Sequence, residues 1–283
     1  MELHDFRILA DGKTQTVSQL IDRPEPIFPA PPRVGLVIGT FASVPYIHLQ
    51  LEARRRFYPD TPLLVHDDAS PQRDELARLC SEYSGEFESN DERQPPCIGD
   101  VSCFLGGLLW AERNGIDLLV KLSRRFVPLV DWVPDLQELA YRSQYPTYCA
   151  HTTTFGFGFR SESVGMAVRT WIDYRLHEDL AALALEPGMP FVEGMIHDFA
   201  RRLAKFRCRA ARAWDDEVGH RPPDRNGYAH WPFLGDDRCT PYPGYLWHDS
   251  ASPHDYHRQS RIWGLPYELH DFEDPNQGAG NGT

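Results

Sequence analysis

Between residues 33 and 85, short apolar runs alternate twice with stretches whose hydrophobic positions recur at helical spacing. RVGLVIGTF (33–41) is rich in Val and Ile, and VPYIHLQLEARRRFY (44–58) places Ile47, Leu49, Leu51 and Phe57 at intervals that suit a helix, so a strand followed by a helix is predicted. The order repeats in TPLLVHDDAS (61–70) and PQRDELARLCSEYSG (71–85), where Ser70 is expected to cap the helix and Pro71 to take its first position. Two such units in series predict a parallel sheet with right-handed crossovers. GEFESND (85–91) is a candidate third strand. GDVSCFLGGLLWAERNG (99–115) is a helix ending at Gly115 despite its internal glycine pair, and IDLLVKLS (116–123) is a buried strand.

On either side of this block the pattern changes. Residues 1–32 are polar and end in RPEPIFPAPP, whose prolines favour extended backbone, so an arm packed on the domain or left flexible is expected. Beyond residue 123 prolines and aromatics increase through FVPLVDWVPDL (126–136), and CAHTTTFGFGFR (149–160) alternates as strands do. SVGMAVRTWIDYRL (163–176) and a stretch from Val192 to Lys205 are expected to be helices. Ordered loops are expected in the following segment, rich in His, Trp, Tyr, Pro and Gly, and disorder in the tail, 273–283. One domain over residues 33–272 is expected, with a nucleotide half (33–130) and an acceptor half (131–272).

Composition narrows the function classes. The 283 residues, 41% hydrophobic and 25% charged, suit a folded enzyme-sized domain and exclude a fibrous or wholly disordered chain. A formal charge of -12 opposes general attraction to DNA or anionic lipid, so nucleic acid is a disfavoured partner. The six cysteines form no CxxC pair, the N-terminus has no apolar leader, and no stretch approaches the roughly 20 apolar residues needed to span a bilayer. A soluble protein of the cytoplasm, without an integral membrane segment, is expected.

LLVHDDASPQRDEL (63–76) resembles the family 2-like glycosyltransferase segment in which a strand ends in two aspartates, a small residue and Ser before a helix. Its setting is similar too: VGLVIGTF lies upstream, and a helix carrying Ala111 leads into IDLLVKLS downstream. The resemblance covers roughly residues 33–130 and implies a GT-A-like fold: a mixed, mainly parallel sheet flanked by helices, with a Rossmann-like nucleotide half. It implies transfer of a hexose from a nucleoside diphosphate sugar, UDP foremost, to a hydroxyl acceptor of unknown class.

Acids at that strand end have a physical reason. In open α/β sheets the ligand lies beyond the carboxyl ends of the strands, where a carboxylate can accept hydrogen bonds from ribose hydroxyls or a base N–H. Asp68, with Asp67 second, is therefore given a nucleoside-binding role, and Thr40 and Phe41 at the first strand end are placed against the base. An isolated Asp-Asp-x-Ser equally serves to cap a helix or solvate a turn. VEGMIHDFARRL (192–203) resembles the family's acidic motif at a helix start, with Glu193 as the matching base, Gly194 where a second acid is familiar, and Asp198 in reserve; a helix-start Glu also simply complements the dipole. His248 in the C-terminal region is the candidate contact to the diphosphate. His254 and His257, on what is expected to be one irregular loop, match no metal-site pattern.

Where GT-A relatives carry an Asp-x-Asp metal site, this chain has Ser123, Arg124 and Arg125. A hard divalent cation needs oxygen ligands and is repelled by fixed positive charge, whereas arginine can hold a diphosphate by forked, charge-assisted bonds. Metal-independent transfer, with Arg124 or Arg125 on the diphosphate and no cofactor beyond the donor substrate, is expected; structural ion pairs are the competing role for these arginines. Two other readings stay open: a sugar transferase acting on hydroxymethylated DNA bases, for which basic residues from Arg201 to Arg212 speak, and a non-catalytic relative that only binds nucleotide sugars.

Overall fold

The structure is a computed structural model that describes residues 25–149, 152–155, 158–161, 163–184, 245–246 and 251–273. The expected strand–helix order is present. β1 (Val34–Thr40), α1 (Val44–Phe57), β2 (Leu63–Asp67), α2 (Arg73–Glu82), β3 (Glu86–Ser89), α3 (Pro96–Arg113) and β4 (Leu118–Leu122) follow one another along the chain. Next come β5 (Val127–Pro128), α4 (Val133–Ser143), β6 (Thr147–Cys149), the hairpin β7 (Thr152–Phe155) and β8 (Gly158–Ser161), β9 (Ser163–Ala167), α5 (Val168–Asp173) and α6 (Leu176–Ala184). β10 (Tyr245–Leu246) and α7 (Pro253–Ile262) complete the described elements, with a 3-10 turn at Leu269–Phe272.

Six strands form one sheet in the order β3-β2-β1-β4-β9-β6. The first four are mutually parallel, whereas β9 runs antiparallel to both β4 and β6. Side-chain alternation gives each face its own core. Val37, Leu64 and Leu119 turn towards α3, α5 and α6, packing with Phe104, Leu108, Trp110 and Trp171. Leu36, Ile38, Val65, Val120 and Leu122 turn to the other face, where Ile47, Leu51, Leu76 and Leu136 from α1, α2 and α4, with Trp132 just ahead of α4, cover them. Such double coverage accounts for the near-continuous apolar runs of β1, β2 and β4.

The glycine pair inside α3 is explained by close approach. A side chain at Gly107 would come within 2.8 Å of Val37 Cγ1, and one at Gly106 within 2.9 Å of His66 Nδ1, so the bare backbone lets the helix lie down on β1 and β2.

Three sequence expectations are corrected. Residues 163–167, expected to open a helix, form β9, which pairs antiparallel with β4 and sends Val164 and Met166 to one core and Ala167 to the other, and the helix starts only at Val168. Residues 253–262, expected in a loop, form α7, with Ser252 and Asp255 in a reciprocal capping box and Pro253 in the first turn. α2 starts at Arg73, so Pro71 lies ahead of it, and Ser70 does not cap it. The described end of the proline-rich arm packs on the domain: Phe28 is buried, and its N–H and C=O are both bonded to the Gln144 amide. α7 and the 3-10 turn dock on α1 and β5 through Tyr256, Phe272 and Tyr46. Among the described residues no helix is long and apolar enough to cross a membrane.

Candidate functional site

Because β3, β2, β1 and β4 are parallel, their carboxyl ends share one edge of the sheet. Thr40 lies opposite Asp67, and Asp67 opposite Ser89. The ladder runs one step further, with Asp68 N–H donating to Thr40 O and Asn90 N–H to Asp67 O, each at 2.9 Å. Thr40, Phe41, Asp67, Asp68 and the Ser123–Arg125 turn therefore stand along the edge where open α/β sheets bind ligands.

The two aspartates have different surroundings. Asp67 is fully buried, and both its oxygens are occupied: Oδ2 accepts from Ser70 N–H at 2.8 Å and Ser89 Oγ at 3.0 Å, and Oδ1 accepts from the Ser70 hydroxyl. Asp68 is 9% exposed, and its Oδ1 accepts from Asn90 Nδ2 at 2.7 Å and from Gln94 N–H at 3.1 Å. Its Oδ2 accepts no hydrogen bond among the described residues and lies against Gly99 near the start of α3. One carboxylate is thus built into the strand end, and the other keeps a lone-pair face available. Asn90 is itself placed by a contact to Ser102 Oγ, which donates to Gly99 O. Below this cluster His66 is buried on the same strand, and burial pulls its pKa below the ordinary histidine value, favouring the neutral ring.

At the end of β1 the Thr40 hydroxyl is buried with no partner among the described residues, an orphan group of the kind that ligand sites retain. The Phe41 ring is half-buried and carries the Arg93 guanidinium 3.8 Å above its centre. The turn that follows holds Ala42 at φ 47°, a left-handed conformation costly for a residue with a Cβ. Ala42 N–H donates to Ser70 Oγ at 2.7 Å. Ser70 thus passes the Asp67 anchor on to the β1 turn instead of capping α2.

At the end of β4, Arg124 Nη1 donates to Phe41 O at 3.0 Å and to Ser43 Oγ at 2.7 Å. The Arg125 guanidinium lies 5.5 Å from the Tyr46 ring centre, and its carbonyl accepts from the Tyr256 hydroxyl at 2.5 Å, so α7 braces this turn. Lys121, three residues before Arg124, ion-pairs with Asp100 at 2.6 Å on the α3 side. A hydroxyl and two guanidinium groups do not fit a divalent cation, and no group of three or more His, Cys, Asp or Glu side chains gathers to hold a metal among the described residues.

The sequence-derived candidates Thr40, Phe41, Asp67, Asp68, Arg124 and Arg125 are thus brought together, whereas Glu193, Asp198 and His248 lie outside the described residues. His254 and His257 are on α7, the first exposed and the second beside the Phe272 ring. Asn90, Arg93, Gln94 and Gly99 were not identified from the sequence. Asn90 and Gly99 carry a usable signal, a polar residue closing the third strand and a glycine opening the next helix.

No protein-family model and no curated protein matches the chain. Among solved structures, the glycosyltransferase GlyE of Streptococcus pneumoniae TIGR4 superposes with a TM-score of 0.50 at 13% identity, covering 85% of this chain and 62% of that one. S. aureus TarS 1-349 in complex with UDP gives 0.47 at 11% identity over 85% and 68% of the two chains. Mannosyltransferase PcManGT from Pyrobaculum calidifontis, in complex with GDP-Man and Mn2+, gives 0.43 at 16% identity over 69% and 59%. This chain thus spans less than two thirds of the length of GlyE. The GlyE likeness and the sheet order together place the fold as GT-A-like.

Proposed function

We propose that this protein is a glycosyltransferase that moves a hexose from a nucleoside diphosphate sugar, a UDP-sugar first, to a hydroxyl acceptor without a divalent metal. The observation that carries the reading is the strand-end edge of a GT-A-like sheet, where Asp68 Oδ2 accepts no hydrogen bond among the described residues and β4 ends in guanidinium groups. Asp68 and the Thr40 hydroxyl receive the nucleoside, with Phe41 beside the base. Arg124 or Arg125 faces the diphosphate and stabilises the leaving group as its negative charge grows. Glu193 is the proposed base, with Asp198 in reserve. The acceptor oxygen attacks the anomeric carbon, its proton passes to the carboxylate, and the bond from that carbon to the β-phosphate oxygen breaks, which inverts the anomeric centre.

The test is a transfer assay with UDP-sugars in EDTA. Undiminished turnover is expected; turnover abolished by EDTA and restored by Mn²⁺ would show that a metal serves the diphosphate instead. Calorimetry supplies the companion measurement, in which folded Asp68→Ala protein is expected to bind UDP roughly tenfold or more weakly. An unchanged affinity removes the nucleoside role from Asp68.

A further inference from the structure

The two arginines at the end of β4 do not point the same way, and the difference assigns them different work. Arg124 turns back to the first strand end, where one nitrogen, Nη1, is within hydrogen-bond reach of both Phe41 O and Ser43 Oγ. Ser43 Oγ also donates to Phe41 O at 2.8 Å, so the carbonyl, the hydroxyl and the guanidinium close a triangle across the turn. Ser43 is the residue before α1, yet its hydroxyl makes no capping bond and serves this turn instead. From the opposite side the Ala42 N–H is held by Ser70 Oγ, which donates in turn to buried Asp67. The left-handed Ala42 is thus gripped from β2 on one side and from β4 on the other. Strained backbone of this kind persists where its surroundings over-determine it, and here it fixes the residue beside Phe41.

We infer that Arg124 is a positioning residue for the nucleoside side of the site: its guanidinium clamps the Phe41–Ser43 turn and so presets Phe41 and Thr40 for the base and ribose. The inference rests on the nucleotide-sugar reading above and refines it, because it leaves the diphosphate to Arg125 and gives Arg124 no phosphate contact. A phosphate ligand and a loop clamp differ in a measurable way. Loss of a phosphate ligand weakens UDP and spares uridine, whereas loss of a clamp on the nucleoside turn weakens both by the same factor.

The experiment compares uridine and UDP affinities, by NMR titration and calorimetry, for the full-length protein and its Arg124→Ala and Ser43→Ala variants. Hydrogen exchange at the Ala42 amide is followed in the same proteins without ligand. Arg124→Ala is expected to lose roughly tenfold for uridine and UDP alike and to exchange faster at Ala42. Ser43→Ala, which keeps the guanidinium but removes one of its acceptors, is expected to show the same pattern to a smaller extent. UDP weakened while uridine is unaffected overturns the inference, as does unchanged exchange at Ala42. If Arg124→Ala does not fold, Ser43→Ala decides by the same criteria. If the wild-type protein binds neither ligand, the nucleotide-sugar reading fails, and the Ala42 exchange rates alone decide the clamp.

Discussion

Asp67 and Asp68 are neighbours in sequence and opposites in bonding. The first is saturated by Ser70 and Ser89, and the second has an Oδ2 that is clear among the described residues because Gly99 has no side chain to fill the space beside it. A Cβ at Gly99 would stand 2.5 Å from Asp68 Oδ2. Gly99→Ala therefore displaces the end of a flexible side chain while gaining up to about 1 kcal/mol of helix propensity. The variant is expected to melt no lower than wild type and yet bind UDP weakly, read by calorimetry beside thermal denaturation; full UDP affinity would mean that Oδ2 is not the ligand atom. Titration gives a second residue-level outcome. Burial, the largest influence on both His48 and His66, lowers their pKa values in the fold. Unfolded chains then bind more protons below about pH 6.5, so stability is complete above that pH and is lost as pH falls through the lowered native values. Urea midpoints are expected to be flat from pH 8 to 7 and to drop below 6.5, with a smaller drop in His48→Gln. Asp68 could be picked out of the sequence because a run of buried residues stops there. Its partner Gln94 could not, since it arrives from a loop whose path depends on how α3 settles.

At the scale of elements, α3 shows how a locally poor sequence is made good by packing. Gly106 and Gly107 lower helix propensity by about 1 kcal/mol each, and the sequence reads as a helix in spite of them. Their use emerges only with the sheet beneath: Val37 Cγ1 and Cβ lie 2.8 and 3.0 Å from a Cβ at Gly107. Unlike the Asp68 carboxylate, Val37 is a short branched side chain in a strand and cannot swing away. Overpacking of about 1–3 kcal/mol outweighs the propensity gain, so Gly107→Ala is expected to lower the denaturation midpoint where Gly99→Ala does not. A midpoint at or above wild type would show that α3 rides higher on the sheet. β1, β2 and β4 were legible because both their faces are buried, which writes them as near-unbroken apolar runs. β9 was not, because its five residues include Gly165 and Ala167 and lead without a break into α5, so apolar spacing continues across the junction. α7 was missed for the opposite reason: its surface is polar and only Tyr256 and Ser260 are buried. The signal for it, Ser252 and Asp255 flanking Pro253, lay in the caps rather than in the periodicity.

For the whole molecule, the formal charge of -12 has to be reconciled with a negatively charged donor. The Debye length is about 8 Å at physiological salt, so a nucleotide held at the strand ends is governed by the groups nearest it. Those include the guanidinium groups of Arg93, Arg124 and Arg125, gathered around Phe41 and the β4 turn. A DNA duplex is far larger than that edge, so its attraction is governed by the charge of the whole chain, which opposes it. Thermal denaturation separates the two cases, because a ligand that binds only the native state stabilises it by mass action. UDP at about 100 times its dissociation constant adds about 2.7 kcal/mol, on the order of 5–10 °C for a chain of this size, and this shift is expected in EDTA. The Asp68→Ala protein is expected to lose about half of it or more at the same concentration. Duplex DNA containing hydroxymethylated bases is expected to give no shift at about 0.15 M salt. A duplex-dependent shift that fades steeply with added salt and adds to that of the UDP-sugar would instead identify DNA as the acceptor, with the site for it supplied by a basic surface beyond the strand-end edge.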